Sequence, residues 1–253
     1  MKTPVTVPTE DLKVKPYASA LCYPRASEPE LESRLEELRE HGVKAVEFAG
    51  DANAFNVPVL GKGFVGIVVI AHLGGERAAL KIRRVDADRV GLEHEAEMLA
   101  KANGVEVGPR LIGVSRNFLL MQLVDGCLLP RWLDAHKDTE HVRGVLGEVL
   151  EQCWLLDSIG LDHGELSKAP KHIIIDKQHK PFIVDFETAS VDRKPANVTS
   201  ACQFLFTSYG AVAKSVAEML GEINRAEVID ALRRYKNERK RENFDVVLRV
   251  CLA

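Results

Sequence analysis

A glycine-rich segment is the first feature whose residue types and spacing could do chemistry. Residues 61–68 read GKGFVGIV and fit the pattern G-x-G-x-x-G-x-V, with glycines at Gly61, Gly63 and Gly66. In a dinucleotide-binding turn the glycines close a strand and open a helix, but here the strand-like run IVVIAHL follows them. This order predicts a strand–turn–strand flap that covers phosphate groups, and an ordinary glycine-rich hairpin is the alternative.

A single lysine in an apolar run is the second feature. Lys81 lies within AALKI, fifteen residues after Gly66. Burial of an ammonium group without an anionic partner is costly, so we expect a carboxylate beside it. The helix predicted at about residues 86–102 offers three glutamates, and Glu95 is preferred to Glu93 because Leu99, four residues on, faces the same side. The sequence therefore predicts a Lys81–Glu95 ion pair.

The secondary structure predicted to position these groups differs from one part of the chain to the next. Prolines are too frequent in residues 1–26 for a regular element, and SEPE at residues 27–30 then predicts a helix over 28–41 whose glutamates form a solvated face. A minority interpretation of that face is a docking surface for a partner. Short β-branched runs follow from Val43 onwards, with a tight hairpin predicted at Gly74-Gly75.

After residue 122 the pattern is mainly helical. Helices are predicted at about 129–136, 139–159, 200–221 and 225–241. Two short strand-like runs, at 173–175 and 182–184, lie between the second and third of these helices. The predicted organisation is an N-terminal extension at residues 1–43, a small lobe at 44–122 and a helical lobe at 123–253, joined by a hinge at 122–126.

Four motifs in this order resemble the protein-kinase-like superfamily. The glycine segment and Lys81 are followed by LLMQLVDG at residues 119–126, HGEL at 163–166 and VDFE at 184–187. The resemblance implies an α+β fold with two lobes, a small antiparallel β-sheet lobe with one helix and a mainly helical lobe. It also implies that ATP and Mg²⁺ are the cofactors and that Lys81 paired with Glu95 holds the α- and β-phosphates.

The resemblance carries over to individual residues. It implies that Met121 is the gatekeeper, that backbone groups of Gln122 and Val124 contact adenine, that Asp185 holds the metal, and that Glu165 orients the acceptor hydroxyl and accepts its proton. The implied nucleotide-binding residues are Gly61, Lys62, Gly63, Gly66, Val68, Ala79, Lys81, Glu95, Met121, Gln122 and Val124.

Differences from the superfamily pattern indicate which kinase-like families the chain resembles. No A-P-E segment follows Asp185, and the third residue of the metal motif is Glu187 in place of glycine. The pattern is therefore similar to the compact RIO-like atypical kinases and to predicted archaeal Ser/Thr protein kinases. D-F-E-x-A at residues 185–189 is also similar to aminoglycoside and choline phosphotransferases.

The catalytic loop itself departs from the pattern. Glu165 stands where kinases have aspartate, and Pro170 stands where they have a metal-binding asparagine. If the loop carries two extra residues, His172 takes the asparagine position, although imidazole is a poor ligand for Mg²⁺. Lys168 and Lys171 are either balancing charges for phosphate or ordinary surface lysines. His163 is interpreted as a packing residue of the loop.

Composition excludes several other classes. The chain has 34 Lys and Arg against 37 Asp and Glu, a net charge of −3, and it is 46% hydrophobic. A nucleic-acid binder that neutralises phosphates over most of its surface and a disordered chain are both excluded. No apolar run reaches the roughly 20 residues of a spanning helix, and no secretion signal is visible, so we expect a cytoplasmic protein without a membrane partner. Five scattered cysteines predict free, buried thiols.

One stretch is locally basic. Residues 225–241 contain seven Lys and Arg against three acids, a local charge of +4. The simplest interpretation is a solvated helix face, and the functional interpretation is a dock for RNA or an acidic partner.

Three functions fit these observations. The leading prediction is an ATP-dependent phosphotransferase, a RIO-like Ser/Thr protein kinase that acts on a protein substrate. The first alternative is a phosphotransferase of the aminoglycoside or choline type with a small-molecule acceptor. The second is a pseudokinase that binds nucleotide or serves as a scaffold, with reduced or absent activity.

Overall fold

A computed structural model describes residues 3–88 and 91–253 of the protein. Within them the chain forms two compact units. The first comprises the described residues up to Glu97 together with Arg110–Leu123, and the second comprises Met98–Pro109 and Val124–Ala253. The predicted division at residues 43 and 122 differs from this one, since the N-terminal segment belongs to the first unit.

The first unit is built on an antiparallel sheet. Its strand order is β1-β2-β6-β7-β9-β8, and β5 pairs with β6. The strands are β1 (Val5–Pro8), β2 (Ala45–Phe48), β5 (Gly61–Lys62), β6 (Gly66–Leu73), β7 (Glu76–Arg83), β8 (Leu111–Val114) and β9 (Phe118–Gln122), with a separate hairpin of β3 (Ala52–Ala54) and β4 (Val57–Val59). Gly74 and Gly75 both have positive φ and join β6 to β7, which confirms the predicted hairpin.

The N-terminal residues are more regular than predicted. β1 pairs with β2 antiparallel, and Thr9–Lys13 and Tyr17–Leu21 form a 3₁₀ turn and the short helix α1. The prediction of an irregular segment was wrong because β1 lies at the edge of the sheet, where the missing N–H of a proline costs few ladder hydrogen bonds.

Helix α2 (Glu28–Glu40) matches its prediction and closes one side of the first unit. His41 is its C-cap residue, and Gly42 follows with a φ of 70°. Leu35 and Leu38 are buried in the same core as Val46 and Leu80.

The acidic face of α2 is only partly solvated. Arg34 is fully buried and donates to the carbonyl oxygens of Leu21 at 2.8 Å and Arg83 at 2.6 Å. Glu37 accepts hydrogen bonds from the Ser115 hydroxyl at 2.6 Å and the Asn117 amide at 3.0 Å. These contacts attach α2 to the end of β7 and to the β8–β9 turn.

Helix α3 (Glu93–Asn103) follows the sheet strand β7. The predicted helix began at about residue 86, and residues 89 and 90 of that prediction lie outside the described residues. Leu92 and Ala96 pack with Val65 and Leu119 in a small apolar cluster. This cluster places the first turn of α3 against the sheet.

The second unit is mainly helical with a small sheet. Its strands β10 (Gly126–Leu128), β11 (Ile173–Asp176) and β12 (Pro181–Ile183) pair antiparallel in that order. Its helices are α4 (Leu129–Ala135), α5 (Thr139–Ser158), α6 (Asn197–Cys202), α7 (Ala211–Leu220), α8 (Arg225–Asn237) and α9 (Arg241–Cys251). The predicted α+β class with a β-sheet N-terminal region and a helical C-terminal region is confirmed.

Two predicted helices are interrupted. The helix predicted at 200–221 consists of α6, a π-helical stretch at Gln203–Thr207 and α7. The helix predicted at 225–241 ends at Asn237, and α9 starts at Arg241 after extended backbone at Glu238. The basic stretch therefore spans two helices and their connection.

Several basic residues of that stretch have partners within the chain. Arg233 pairs with Asp230 at 3.2 Å, Lys240 pairs with Glu238 at 2.5 Å, and Arg241 pairs with Glu151 at 2.7 Å. The predicted dock for RNA or an acidic partner stays a prediction. Part of the positive charge of residues 225–241 is balanced by these carboxylates.

A buried polar cluster joins three helices of the second unit to the loop before β11. The Asp157 carboxylate on α5 accepts hydrogen bonds from the Asn197 side chain at 2.8 Å and the Tyr235 hydroxyl at 2.8 Å. The Asn197 side-chain oxygen in turn accepts from the His163 amide at 2.8 Å. Asn197, the first residue of α6, thus holds the His163 loop.

The five cysteines are free, and all of them except Cys127 are buried, as predicted. Over the described parts of the chain, no helix combines the length and apolar character that a membrane crossing requires.

Candidate functional site

The glycine segment forms a turn between two antiparallel strands. Gly61 pairs with Val68, and the Gly63 amide donates to the Gly66 carbonyl at 2.8 Å. A Cβ at Gly66 would lie 2.7 Å from the Ile82 carbonyl oxygen, so only glycine fits this approach of two strands. The strand–turn–strand prediction is confirmed, and a dinucleotide-binding turn that opens a helix is excluded for this segment.

Lys81 and Glu95 form a buried ion pair. The Lys81 ammonium on β7 lies 2.7 Å from a Glu95 carboxylate oxygen on α3. Their side chains are only 7% and 4% exposed. The predicted pairing is confirmed, and the apolar cluster that docks α3 on the sheet explains how Glu95 reaches the strand.

The other predicted nucleotide residues of the sheet share the face of Lys81. Val68 is directly opposite Lys81, Ala79 is two residues before it, and Met121 is directly opposite Ala79. Because side chains alternate along a strand and opposite residues share a face, these four side chains lie on one face of the sheet. The intervening residues of β6 and β7 belong to the main core, which lies under the other face.

Lys62 and Gln122 lie at the margins of this group. Lys62 is exposed, with its ammonium 4.7 Å from the centre of the Tyr23 ring. The Gln122 amide donates to the Arg110 carbonyl at 2.8 Å. Val124, the second predicted adenine contact, belongs to the second unit.

The HGEL segment of the second unit is a tightly packed loop. Asp162 forms an isolated antiparallel bridge with Ser190. Gly164 has a φ of 90°, and a Cβ there would lie 2.6 Å from an Arg193 guanidinium nitrogen. The Thr188 hydroxyl donates to the His163 carbonyl at 3.0 Å. These contacts hold the loop against the segment that follows Asp185.

Glu165, His172 and Asp185 converge in the second unit. The His172 Nε2 atom lies 3.4 Å from Glu165 Oε2 and 3.8 Å from Asp185 Oδ2. One ligand atom of each residue lies within 4.8 Å of the other two. Asp185 has a φ of 70°, a left-handed conformation that non-glycine residues rarely adopt and that is typical of functional sites.

The donor atoms of this cluster suit a divalent cation. Two carboxylates supply oxygen, the ligand that Mg²⁺ prefers, and the imidazole supplies nitrogen. The carboxylates are 41% and 39% exposed, so a hydrated ion can reach them. Asp185 and His172, the two predicted metal ligands, are thus brought together with Glu165.

His163 packs against the residues on either side of Asp185 in sequence. It is fully buried, its Nε2 atom lies 3.1 Å from the Val184 carbonyl oxygen, and its ring centre lies 5.1 Å from that of Phe186. Burial lowers the pKa of His163 to about 4. A neutral imidazole that packs beneath the loop agrees with the structural role expected from the sequence.

Lys168 and Pro170 lie apart from the converging groups. Lys168 closes the 3₁₀ turn Leu166–Lys168 and is exposed, and no ion pair joins it to another described residue. Pro170, five residues after Glu165, is also exposed. The role predicted for Lys168 stays a prediction.

Sequence reasoning missed the supporting groups of the site. The Asp157–Asn197 pair and Arg193 hold the HGEL loop, but Arg193 and Asn197 follow it by about 30 residues and Asp157 lies on the preceding helix α5. Their residue types alone carry no signal, because buried Asp and Asn are recognised only through the partners that a fold gives them.

A sequence model of the RIO domain matches residues 74–203, which is half of the chain. The match includes Lys81, Glu95, Glu165 and Asp185, and the glycine turn precedes it. No curated protein matches the chain. The RIO match supports an ATP-binding phosphotransferase of the atypical-kinase type, and such proteins typically use ATP and Mg²⁺.

Proposed function

We propose that this chain, which belongs to the RIO-domain family, is an ATP-dependent Ser/Thr protein kinase. The observation that carries the proposal is the buried Lys81–Glu95 ion pair on the sheet face shared by Val68, Ala79 and Met121. A buried ion pair contributes little to stability compared with well-packed apolar residues. Its presence on this face is therefore better explained by an anionic ligand that Lys81 holds.

The first unit supplies the nucleotide contacts of the proposed reaction. The Lys81 ammonium binds α- and β-phosphate oxygens, and Glu95 fixes its position. The turn at Gly63–Gly66 brings backbone amides close to phosphate without interference from side chains. Val68, Ala79 and Met121 provide an apolar surface for adenine.

The second unit supplies the groups that act on the acceptor. Asp185 would hold Mg²⁺, which neutralises charge on the transferred phosphoryl group. Glu165 accepts a hydrogen bond from the acceptor hydroxyl, orients its oxygen and takes up its proton as the bond to the γ-phosphorus forms, while the bond from that phosphorus to the β,γ-bridging oxygen breaks and ADP leaves. The left-handed backbone at Asp185 and the crowded Gly164 hold both carboxylates in place before substrate binds.

A small-molecule acceptor is the second candidate, and one observation favours it. The segment from Asp185 to α6 spans only residues 186–196 and is held by the Asp162–Ser190 bridge and the Arg193–Asp162 ion pair at 3.0 Å. Such a short, internally bonded segment leaves little chain for a peptide-binding platform. It also needs no phosphorylation to become ordered.

Nucleotide binding is tested by the melting temperature of the full chain with ATP and MgCl₂. Saturating ATP should raise it, because a ligand at 100 times its Kd contributes about 2.7 kcal/mol. Transfer is tested with γ-labelled ATP, a general acceptor protein and a pool of hydroxylated metabolites. Transfer to protein supports the kinase, and transfer to metabolites alone supports the second candidate.

Asp185→Asn and Glu165→Gln should lower transfer by about a thousandfold, since the metal ion and the base each supply several kcal/mol. Asp134→Asn, an exposed carboxylate on α4, is the matched control and should leave transfer unchanged. ATP binding without any transfer, unaffected by Glu165→Gln, identifies a pseudokinase. Absence of ATP binding refutes both phosphotransferase functions and leaves only a pseudokinase that serves as a scaffold.

A further inference from the structure

A tyrosine of the N-terminal segment contacts both ends of the structure around the glycine turn. The centre of the Tyr23 ring lies 4.7 Å from the Lys62 ammonium and 4.9 Å from the Arg84 guanidinium carbon. Lys62 ends β5 directly before Gly63, and Arg84 directly follows β7. Cations at this distance over an aromatic ring are attracted by its π-system. Tyr23 therefore joins the glycine turn to the end of the strand that carries Lys81.

Arg84 also binds the turn directly. Its guanidinium donates to the Gly63 carbonyl oxygen at 3.3 Å, and its backbone amide donates to the Val65 carbonyl oxygen at 2.7 Å. The Asp86 carboxylate accepts two hydrogen bonds at 2.8 Å from the same guanidinium and fixes its orientation. Phe64 is 93% exposed, so the side chains of the turn itself contribute little packing. Arg84 thus supplies contacts that a flexible glycine segment lacks.

Tyr23 is itself well anchored in the first unit. Its carbonyl oxygen accepts a hydrogen bond from the Val85 amide at 2.8 Å. Its ring meets the Phe55 ring edge-on, with the two centres 5.2 Å apart, and packs against the main core. A side chain fixed in this way can restrain the exposed turn through the two cations that it holds.

The conformation of the turn before ATP binds affects the affinity for ATP. If the turn must be ordered during binding, the cost of ordering it is subtracted from the binding free energy. We infer that Tyr23 is a positioning residue for ATP: through Lys62 and Arg84 it holds the glycine turn in the conformation that accepts phosphate. The inference rests on the proposed function, since it concerns how the same site binds its nucleotide.

Hydrogen–deuterium exchange of the full chain without ATP tests the positioning role directly. In Tyr23→Leu the amides of residues 61–68 should exchange about fivefold faster, the effect expected when two exposed cation–π contacts are lost. Arg84→Met also removes the hydrogen bond to Gly63 and should accelerate exchange at least as much. Tyr23→Phe keeps the aromatic ring and should exchange like the wild type.

ATP binding then tests the consequence for the nucleotide. The Kd for ATP, measured by calorimetry with MgCl₂, should rise about fivefold in Tyr23→Leu and in Arg84→Met. In the transfer assay the KM for ATP should rise while kcat stays unchanged, because bound ATP orders the turn.

Tyr17→Leu is the matched control for a purely structural effect. The Tyr17 ring belongs to the same N-terminal segment but stacks on Phe48, with the centres 5.2 Å apart. This variant should lower the melting temperature without changing either the exchange of residues 61–68 or the Kd for ATP.

Exchange of residues 61–68 at the wild-type rate in both Tyr23→Leu and Arg84→Met would overturn the inference. An unchanged Kd for ATP in both variants, or an equal rise in Tyr17→Leu, would overturn it too. Arg84→Met decides the question if circular dichroism shows that Tyr23→Leu does not fold. If the wild type itself binds no ATP, the proposed function fails, and the exchange rates alone decide whether Tyr23 positions the turn.

Discussion

Removal of the ammonium group at Lys81 should destabilise the protein strongly. In Lys81→Met the Glu95 carboxylate, 4% exposed, loses the cation that lies 2.7 Å away. Loss of one partner of a buried ion pair typically costs about 3–5 kcal/mol, because the remaining charge keeps its desolvation penalty. For a chain of this size that corresponds to a fall of roughly 6–20 °C in melting temperature.

A second substitution separates the charge effect from loss of packing. In Lys81→Met/Glu95→Leu both charges are gone, and apolar replacement of a buried ion pair is often neutral or stabilising. The double variant should therefore recover most of the stability that Lys81→Met loses, as measured by thermal melting and urea denaturation. Lys44→Met, an exposed lysine of the first unit, should remain within about 0.5 kcal/mol of wild type.

ATP binding by the double variant then separates the effect of Lys81 on stability from its role in nucleotide binding. The double variant, although folded, should show no ATP-dependent rise in melting temperature, because Lys81 is absent. The reasoning is refuted if Lys81→Met loses no more stability than Lys44→Met, or if the double variant is less stable than Lys81→Met alone. ATP stabilisation of the double variant equal to that of wild type would refute the nucleotide role of Lys81.

Three further changes have defined outcomes. Gly164→Ala should lower both melting temperature and transfer, since φ is 90° and the new Cβ would lie 3.2 Å from the Thr188 backbone carbonyl oxygen. Gly144→Ala, with open space on α5, should be neutral or stabilising. With EDTA present, the free energy of unfolding should fall by up to about 3 kcal/mol as pH decreases from 6.5 towards 4. The reason is that His163 binds a proton in the unfolded state, whereas burial excludes that proton from the folded state. In urea titrations, His163→Leu should make the free energy of unfolding depend less on pH over this range. Tyr235→Phe removes the 2.8 Å hydrogen bond to the Asp157 carboxylate and should cost about 1.5–3 kcal/mol by urea denaturation.

Local patterns predicted the parts of the fold that depend on neighbours in sequence. The Gly74-Gly75 hairpin and the bounds of α2 follow from turn and helix signals that act over a few residues. The Lys81–Glu95 pair was also predictable, because one buried charge requires another and the next helix offered few candidates.

Features that depend on tertiary contacts were not predictable. β1 is a strand because β2 pairs with it, although Pro8 within it and Pro4 before it argue against regular structure. Arg34 is buried because the carbonyl groups of Leu21 and Arg83 accept its hydrogen bonds, and nothing in the amphipathic pattern of α2 shows this. The breaks within the predicted helices 200–221 and 225–241 likewise lack a proline signal.

The two departures in the catalytic loop meet in space. Counted by spacing, Pro170 occupies the metal-ligand position and offers no donor atom, but the 3₁₀ turn Leu166–Lys168 and the buried Ala169 take up the extra residues. Because the His172 amide bonds to Ala169 and its carbonyl accepts from Val184, backbone contacts and not residue count decide which side chain reaches Asp185. Glu165, one methylene longer than aspartate, ends 3.4 Å from His172. Glu165 and His172, the two residues that differ from the kinase pattern, therefore lie next to each other in one altered site.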